Sequence, residues 1–176
     1  LRGIYTLIIL IQKPLRINVG ELGNFKFDEG YYLYNGSALG KGASSLEARL
    51  KRHLSIRKKK FWHIDYLLQS KSTKIQDIIY TSSSKQAECL LNKSIIGRLR
   101  TEVTIQGFGS SDCRCRSHLL KIGGRKSLRK VLDGVKETYR SLHLTPAELS
   151  EKSCRNISLG RITLRPIYFS SQHSLL

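Results

Sequence analysis

Apolar residues run almost without a break over residues 3–11, and the run is rich in Ile, Tyr and Thr. That length and β-branching predict a strand buried on both faces. Lys13-Pro14 ends it. Residues 16–20 and 25–27, separated by a Gly-containing loop, predict a short hairpin. It leads to a second major strand over 31–36, with Gly30 at its start. Leu46, Leu50 and Leu54 recur every fourth residue after Ser44 and Ser45, so a serine-capped helix with one apolar and one basic face is expected. Further on, the pattern predicts a short helix at 61–68 and a third strand at 75–80. A helix over 86–99 follows, with Leu90, Leu91, Ile95 and Leu99 inward and Ser84 as its cap. Short strands at 103–105 and 119–122 flank a loop over 107–115.

The Gly123-Gly124 pair is the clearest punctuation in the second half and divides a domain over 1–124 from an extension over 125–176. Leu128, Val131, Leu132, Val135 and Tyr139 stand at helical spacing. Thr145-Pro146 reads as the cap and first position of a second helix over 145–149. A strand at 161–164 and a loose Ser-rich end complete the extension.

Composition narrows the class. The 176 residues include 31 Lys plus Arg against 13 Asp plus Glu, a formal charge of +18, with 40% hydrophobic residues. That is enough apolar material for one packed domain with an appendage, and too much for a disordered chain. No apolar run approaches the ~20 residues of a membrane-spanning helix. No secretory signal opens the chain, so a cytoplasmic setting is expected, with the four cysteines reduced. The chain begins at Leu1 and contains no Met, which reads as a fragment or a processed product. The positive excess calls for an anionic polymer as partner, nucleic acid ahead of a lipid surface, because each neutralised phosphate releases counterions. No small-molecule substrate is expected. From Arg49 to Lys60 there is no acid, and Lys51, Arg52, Arg57, Lys58, Lys59 and Lys60 are candidates for contact with a nucleic-acid backbone.

Chemistry concentrates in a few places. Gly3-Ile4-Tyr5 opens the first strand and Tyr34-Asn35-Gly36 closes the second. Arg49 and His53, four residues apart, share a helical face. A guanidinium holds a phosphate by two hydrogen bonds, and an imidazole beside it exchanges a proton. Such groups suit phosphoryl chemistry, which also needs a carboxylate for a divalent metal; Glu88 is the best placed.

These segments in order, with Tyr34-Asn35-Gly36-Ser37-Ala38 and Ser45-Leu46-Glu47-Ala48-Arg49-Leu50, resemble the GIY-YIG nuclease superfamily. Phe61-Trp62-His63-Ile64-Asp65-Tyr66-Leu67 and Gly107-Phe108-Gly109-Ser110-Ser111-Asp112-Cys113-Arg114-Cys115 resemble a little-characterised prokaryotic branch of it, found alone or joined to DNA-repair domains. The resemblance covers residues 3 to about 122. It implies an α/β fold of the α+β type, with a small antiparallel sheet flanked by helices. It also implies endonucleolytic hydrolysis of DNA phosphodiesters with Mg²⁺ or Mn²⁺.

Carried over residue by residue, Tyr5 activates the attacking water and Tyr34 positions water or phosphate, though either could be the base. Arg49 orients the scissile phosphate, His53 hydrogen-bonds the phosphate or the nucleophile, and Glu88 binds the metal. A phenol with an ordinary pKa near ~10 serves as a base only if its neighbours lower that value. Asn35 departs from the aliphatic residue usual in relatives, and the motif spacings are long.

Plainer roles are expected of other conspicuous residues. Trp62 reads as core, His63 and Asp65 as helix surface, and Asp112 as a turn residue. Cys113, Cys115 and His118 have ligand chemistry, but the cysteine spacing is narrow and Cys89 and Cys154 have no evident place. A structural or substrate-edge role is therefore expected of that loop rather than zinc binding. The rivals to an enzyme are a non-catalytic nucleic-acid-binding module and an RNA-associated structural protein.

Overall fold

The opening apolar run becomes β1 (Gly3–Ile11), the central strand of a six-stranded sheet. A computed structural model describes residues 1–83, 87–158 and Leu164. After β1 come the hairpin β2 (Leu15–Asn18) and β3 (Asn24–Phe27), then β4 (Gly30–Ala38), α1 (Leu46–Leu54), α2 (His63–Leu68) and β5 (Thr73–Ser82). The chain continues with α3 (Glu88–Leu99), β6 (Thr101–Glu102), β7 (Leu119–Ile122), α4 (Leu128–Ser141), β8 (Ala147–Ser150) and α5 (Glu151–Ser158). The sheet order is β6-β7-β4-β1-β5-β8, and every pairing is antiparallel. The expected α/β architecture, an antiparallel sheet flanked by helices, is the one observed. No helix among the described residues is long and apolar enough to cross a membrane.

Alternation along β1 explains why it sits at the centre. Tyr5, Leu7, Ile9 and Ile11 face one cluster, with Leu46 and Leu50 of α1, Ile64 and Leu67 of α2, and Phe27 of the hairpin. Ile4 and Ile8 face the other, with Leu91 and Ile95 of α3 and Val131, Val135 and Tyr139 of α4. Each fully buried Leu or Ile contributes roughly 1.5–3 kcal/mol over the exposed state, so a polar residue on either face of β1 would be costly. Ser45 caps α1 by accepting from the Ala48 N–H at 3.3 Å. Ser127 caps α4 in the same way.

Four expectations are corrected. Leu90 is 56% exposed: the inward row of α3 is Leu91, Ile95 and Leu99, and one residue before Leu91 falls about 100° off that row. Residues 103–105 are not a strand. Val103 packs in the cluster behind the sheet and Ile105 in the one before it, whereas a strand would put both on one face. Residues 145–149 are not a helix, because Ala147–Ser150 pairs with β5, with Leu149 opposite Ile78. There Pro146 precedes an edge strand, a place that tolerates it. Nor does Gly123-Gly124 separate two cores: α4 completes the cluster behind the sheet and β8 extends the sheet itself. Ser84 and residues 161–163 of the strand expected at 161–164 lie outside the described residues. Ala87 precedes α3 without a side-chain cap.

Candidate functional site

β7 pairs with β4 only over Tyr32–Tyr34, which leaves the end of β4 open to the first turn of α3 and to the loop before β7. At that opening lies a pocket of about 290 Å³, lined by Tyr5, Tyr34, Arg49 and Glu88 with Ser37, His63, Ser111 and Asp112 among others. Four of the five residues singled out for catalysis therefore meet around one space, from β1, β4, α1 and α3. Register explains the two phenols: Tyr5 lies opposite Gly36, and Tyr34 opposite Leu7, on the same sheet face. A Cβ at Gly36 would stand 2.5 Å from the Tyr5 ring, so only glycine leaves room for the phenol.

His53 lies behind Tyr5 rather than among the residues lining the pocket. Its Nε2 is 2.7 Å from the Tyr5 hydroxyl, and it is 3% exposed. That geometry leaves contact with Tyr5 and not with a phosphate in the pocket. Burial, helped by the Lys58 charge, lowers the His53 pKa to about 3. The ring is thus neutral near pH 7. Burial likewise raises the Tyr5 pKa above its ordinary value, against the opposing influence of Arg49. Tyr34 is raised by burial and then by Tyr5.

The Arg49 guanidinium lies 5.0 Å from the Trp62 ring centre and that of Arg52 lies 4.7 Å from it. Trp62 is a half-buried platform for two cations. The Arg49 Nε is buried without a hydrogen-bond partner. Glu88 is held on two sides: Ser37 Oγ donates to its Oε2, and His118 Nδ1 is 2.6 Å from its Oε1.

The basic run divides. Lys51, Arg57, Lys59 and Lys60 are exposed. Arg52 and Lys58 are engaged internally. Asp65 is fully buried and accepts from the Phe61 and Trp62 N–H groups at 3.0 Å each and from Arg52 at 2.5 Å. Lys58, with its side chain 4% exposed, is 3.6 Å from Asp65 and donates to the Arg52 and His53 carbonyls. Burial alone would raise the Asp65 pKa, but these N–H and cationic partners hold it below the usual value. Asp65 organises the turn into α2 and is not a surface residue.

Sequence reasoning missed what the loop before β7 does. His63 Nδ1 accepts the Gly109 N–H at 3.1 Å, and Phe108 packs edge-on to Tyr34 with ring centres 6.3 Å apart. Gly109 has φ +70°, and a Cβ there would approach the Tyr34 ring to 2.8 Å, so its glycine is required on both counts. The loop thereby brings Ser111 and Asp112 to the pocket. Asn35, the departure from the expected aliphatic, is also explained. Fully buried behind the sheet, it accepts from Thr6 Oγ1 and donates to Asn92 Oδ1, both at 2.8 Å. Asn92 in turn donates to the Ser117 carbonyl at 2.9 Å.

The fold also gives Cys89 the place that the sequence left open. Cys89, in the first turn of α3, joins Cys113, Cys115 and His118, and their four donor atoms lie within 4.8 Å of one another. The missing partner was 24 residues upstream of Cys113 in the chain, beyond the reach of any spacing rule. Cys154 stands apart in the cluster before the sheet.

No curated protein and no solved structure matches the chain. A family model described as "Domain of unknown function DUF123" matches residues 4–141, from β1 to the end of α4, and the chain therefore belongs to that family.

Proposed function

We propose that this pocket hydrolyses DNA phosphodiester bonds with the help of a hard divalent cation. The observation that carries the reading is the convergence of Tyr5, Tyr34, Arg49 and Glu88 around one opening. Arg49, with a buried donor lacking a partner, holds a non-bridging phosphate oxygen and stabilises the charge that grows on it. The neutral His53 accepts a hydrogen bond from the Tyr5 hydroxyl through Nε2, which leaves the lone pairs of the Tyr5 oxygen free to accept a hydrogen bond from the attacking water. Tyr34 positions that water or the phosphate from the adjacent strand.

Glu88 holds the cation, Mg²⁺ or Mn²⁺. The donors fit a hard ion, since the pocket offers carboxylate and hydroxyl oxygens from Glu88, Asp112 and Ser37, the ligand type such ions take alongside water and phosphate. When bound, the ion acts as a Lewis acid on the phosphate oxygens. Lys51, Arg57, Lys59 and Lys60 track the DNA backbone without reading sequence. Phe61, 78% exposed at the rim, is available to stack on an unpaired base.

The test is incubation with branched, nicked and flapped DNA, with and without Mg²⁺, for the unaltered protein and for Arg49→Ala and Glu88→Ala. Metal-dependent cutting lost in both variants supports the enzyme. Binding without cutting by the unaltered protein points to a non-catalytic nucleic-acid module, and tighter binding to RNA than to DNA at matched salt points to an RNA-associated role. Burial raises both phenols rather than lowering them, so Tyr5→Phe and Tyr34→Phe test which hydroxyl positions the attacking water, as the substitution that lowers kcat with KM unchanged.

A further inference from the structure

Beside the pocket, the first turn of α3 and the loop before β7 put three thiols and an imidazole together. The side chain of His118 is 2% exposed, with Nε2 3.3 Å from Cys113 Sγ. The Cys115 N–H also points at Cys113 Sγ, at 3.5 Å. Ligands bound at ~2.0–2.3 Å around a tetrahedral ion stand ~3.5–3.8 Å from each other. Donor atoms already within 4.8 Å need only small side-chain shifts to reach that arrangement. The donors are three sulfurs and one imidazole nitrogen, a set that selects a soft or borderline tetrahedral ion over Mg²⁺.

We propose that Cys89, Cys113, Cys115 and His118 form a closed tetrahedral site for zinc, separate from the hard-cation position at Glu88. On binding, the three thiols release their protons to solvent and the imidazole coordinates through Nε2. His118 Nδ1 then faces the Glu88 carboxylate at 2.6 Å, so a carboxylate–histidine–metal arrangement links the two positions. The ion pins the loop that carries Gly109, Ser111 and Asp112 against α3 and fixes the orientation of Glu88. His118 is a positioning residue in this scheme. The site itself stands whether or not the pocket cuts DNA.

Cobalt(II) provides the test, because its spectrum reports both sulfur ligation and geometry. The whole chain is prepared under reducing conditions, stripped with a chelator and titrated with Co²⁺ alone. Expected are one equivalent bound, a thiolate-to-cobalt charge-transfer band in the near ultraviolet, the visible bands of tetrahedral cobalt, and their loss when Zn²⁺ is added. Cys89→Ser and Cys113→Ser should weaken the charge-transfer band and cut Zn²⁺ affinity at least tenfold, while Cys154→Ser leaves both unchanged. If a variant fails to fold, the titration of the unaltered protein decides. A stripped, folded, reduced protein that gives no charge-transfer band, or the weak spectrum of octahedral cobalt, overturns the proposal, as does equal loss of binding in Cys154→Ser.

Discussion

On β1 and β4, Tyr5 and Tyr34 face the pocket, while the adjacent Thr6 and Asn35 face α3 and α4. The polar groups behind the sheet form a connected chain. Asn35 and Asn92 bridge strand and helix, Thr6 reaches the Tyr139 hydroxyl at 3.1 Å, and Tyr139 reaches the Ile79 carbonyl at 3.3 Å. In front, Arg49 Nε and His53 Nδ1 are buried without partners. A buried polar group left unpaired costs about 1–3 kcal/mol. The network behind the sheet specifies how α3 docks, and so where Glu88 stands. Of the two, Arg49 lines the pocket and keeps an unpaired donor for a ligand. Two faces one residue apart in sequence thus serve packing on one side and line the pocket on the other.

The sharpest separation of the two faces comes from Arg49→Ala and Glu88→Gln, for which DNA cleavage should fall by ~10²–10³-fold or more with little change in urea midpoint. Asn35→Leu should do the reverse. Removing the bridge leaves the buried Asn92 Oδ1 without its donor and Thr6 with Tyr139 alone, and should cost about 1–3 kcal/mol in urea unfolding, while the folded fraction retains DNA affinity. An unchanged midpoint would show that the network does not specify docking.

A smaller effect is expected from pH. The folded His53 pKa is about 3 against 6.5 for a free imidazole, so below pH 6.5 the unfolded chain takes up a proton that the folded chain refuses. Stability from this residue is complete above pH 6.5 and declines as pH falls toward 3. His53→Gln should flatten the acid side of the stability curve by up to about 3 kcal/mol between pH 6.5 and 4. The smallest change is reserved for the exposed cations. Lys59→Ala or Lys60→Ala should lower the salt slope of DNA binding by ~1 and leave stability within about 0.5 kcal/mol. Lys58→Ala should instead destabilise, because it strips a buried partner from Asp65.

Legibility in the sequence followed the range of the forces involved. β1, β4 and α1 were plain because β-branching, alternation and a serine cap act within a few residues. Tyr5, Tyr34, Arg49 and Glu88 were found through motif order, since each motif sits within one element. Asn35 looked anomalous only because its partners Thr6 and Asn92 are distant in the chain. Arg52 and Lys58 looked like free cations because Asp65 lies beyond the basic run.

Local pattern, motif order and composition sufficed for the order of most elements, a core on both faces of the first strand, the large positive charge and four of the residues that line the pocket. The pairing of β8 against the Thr-Pro helix signal, the engagement of two lysine-run cations, and the meeting of Cys89 with Cys113, Cys115 and His118 depended on folding. The reason is that sheet edges, desolvated ion pairs and ligand clusters gain free energy from groups brought together across dozens of residues, and no local pattern records which groups those will be.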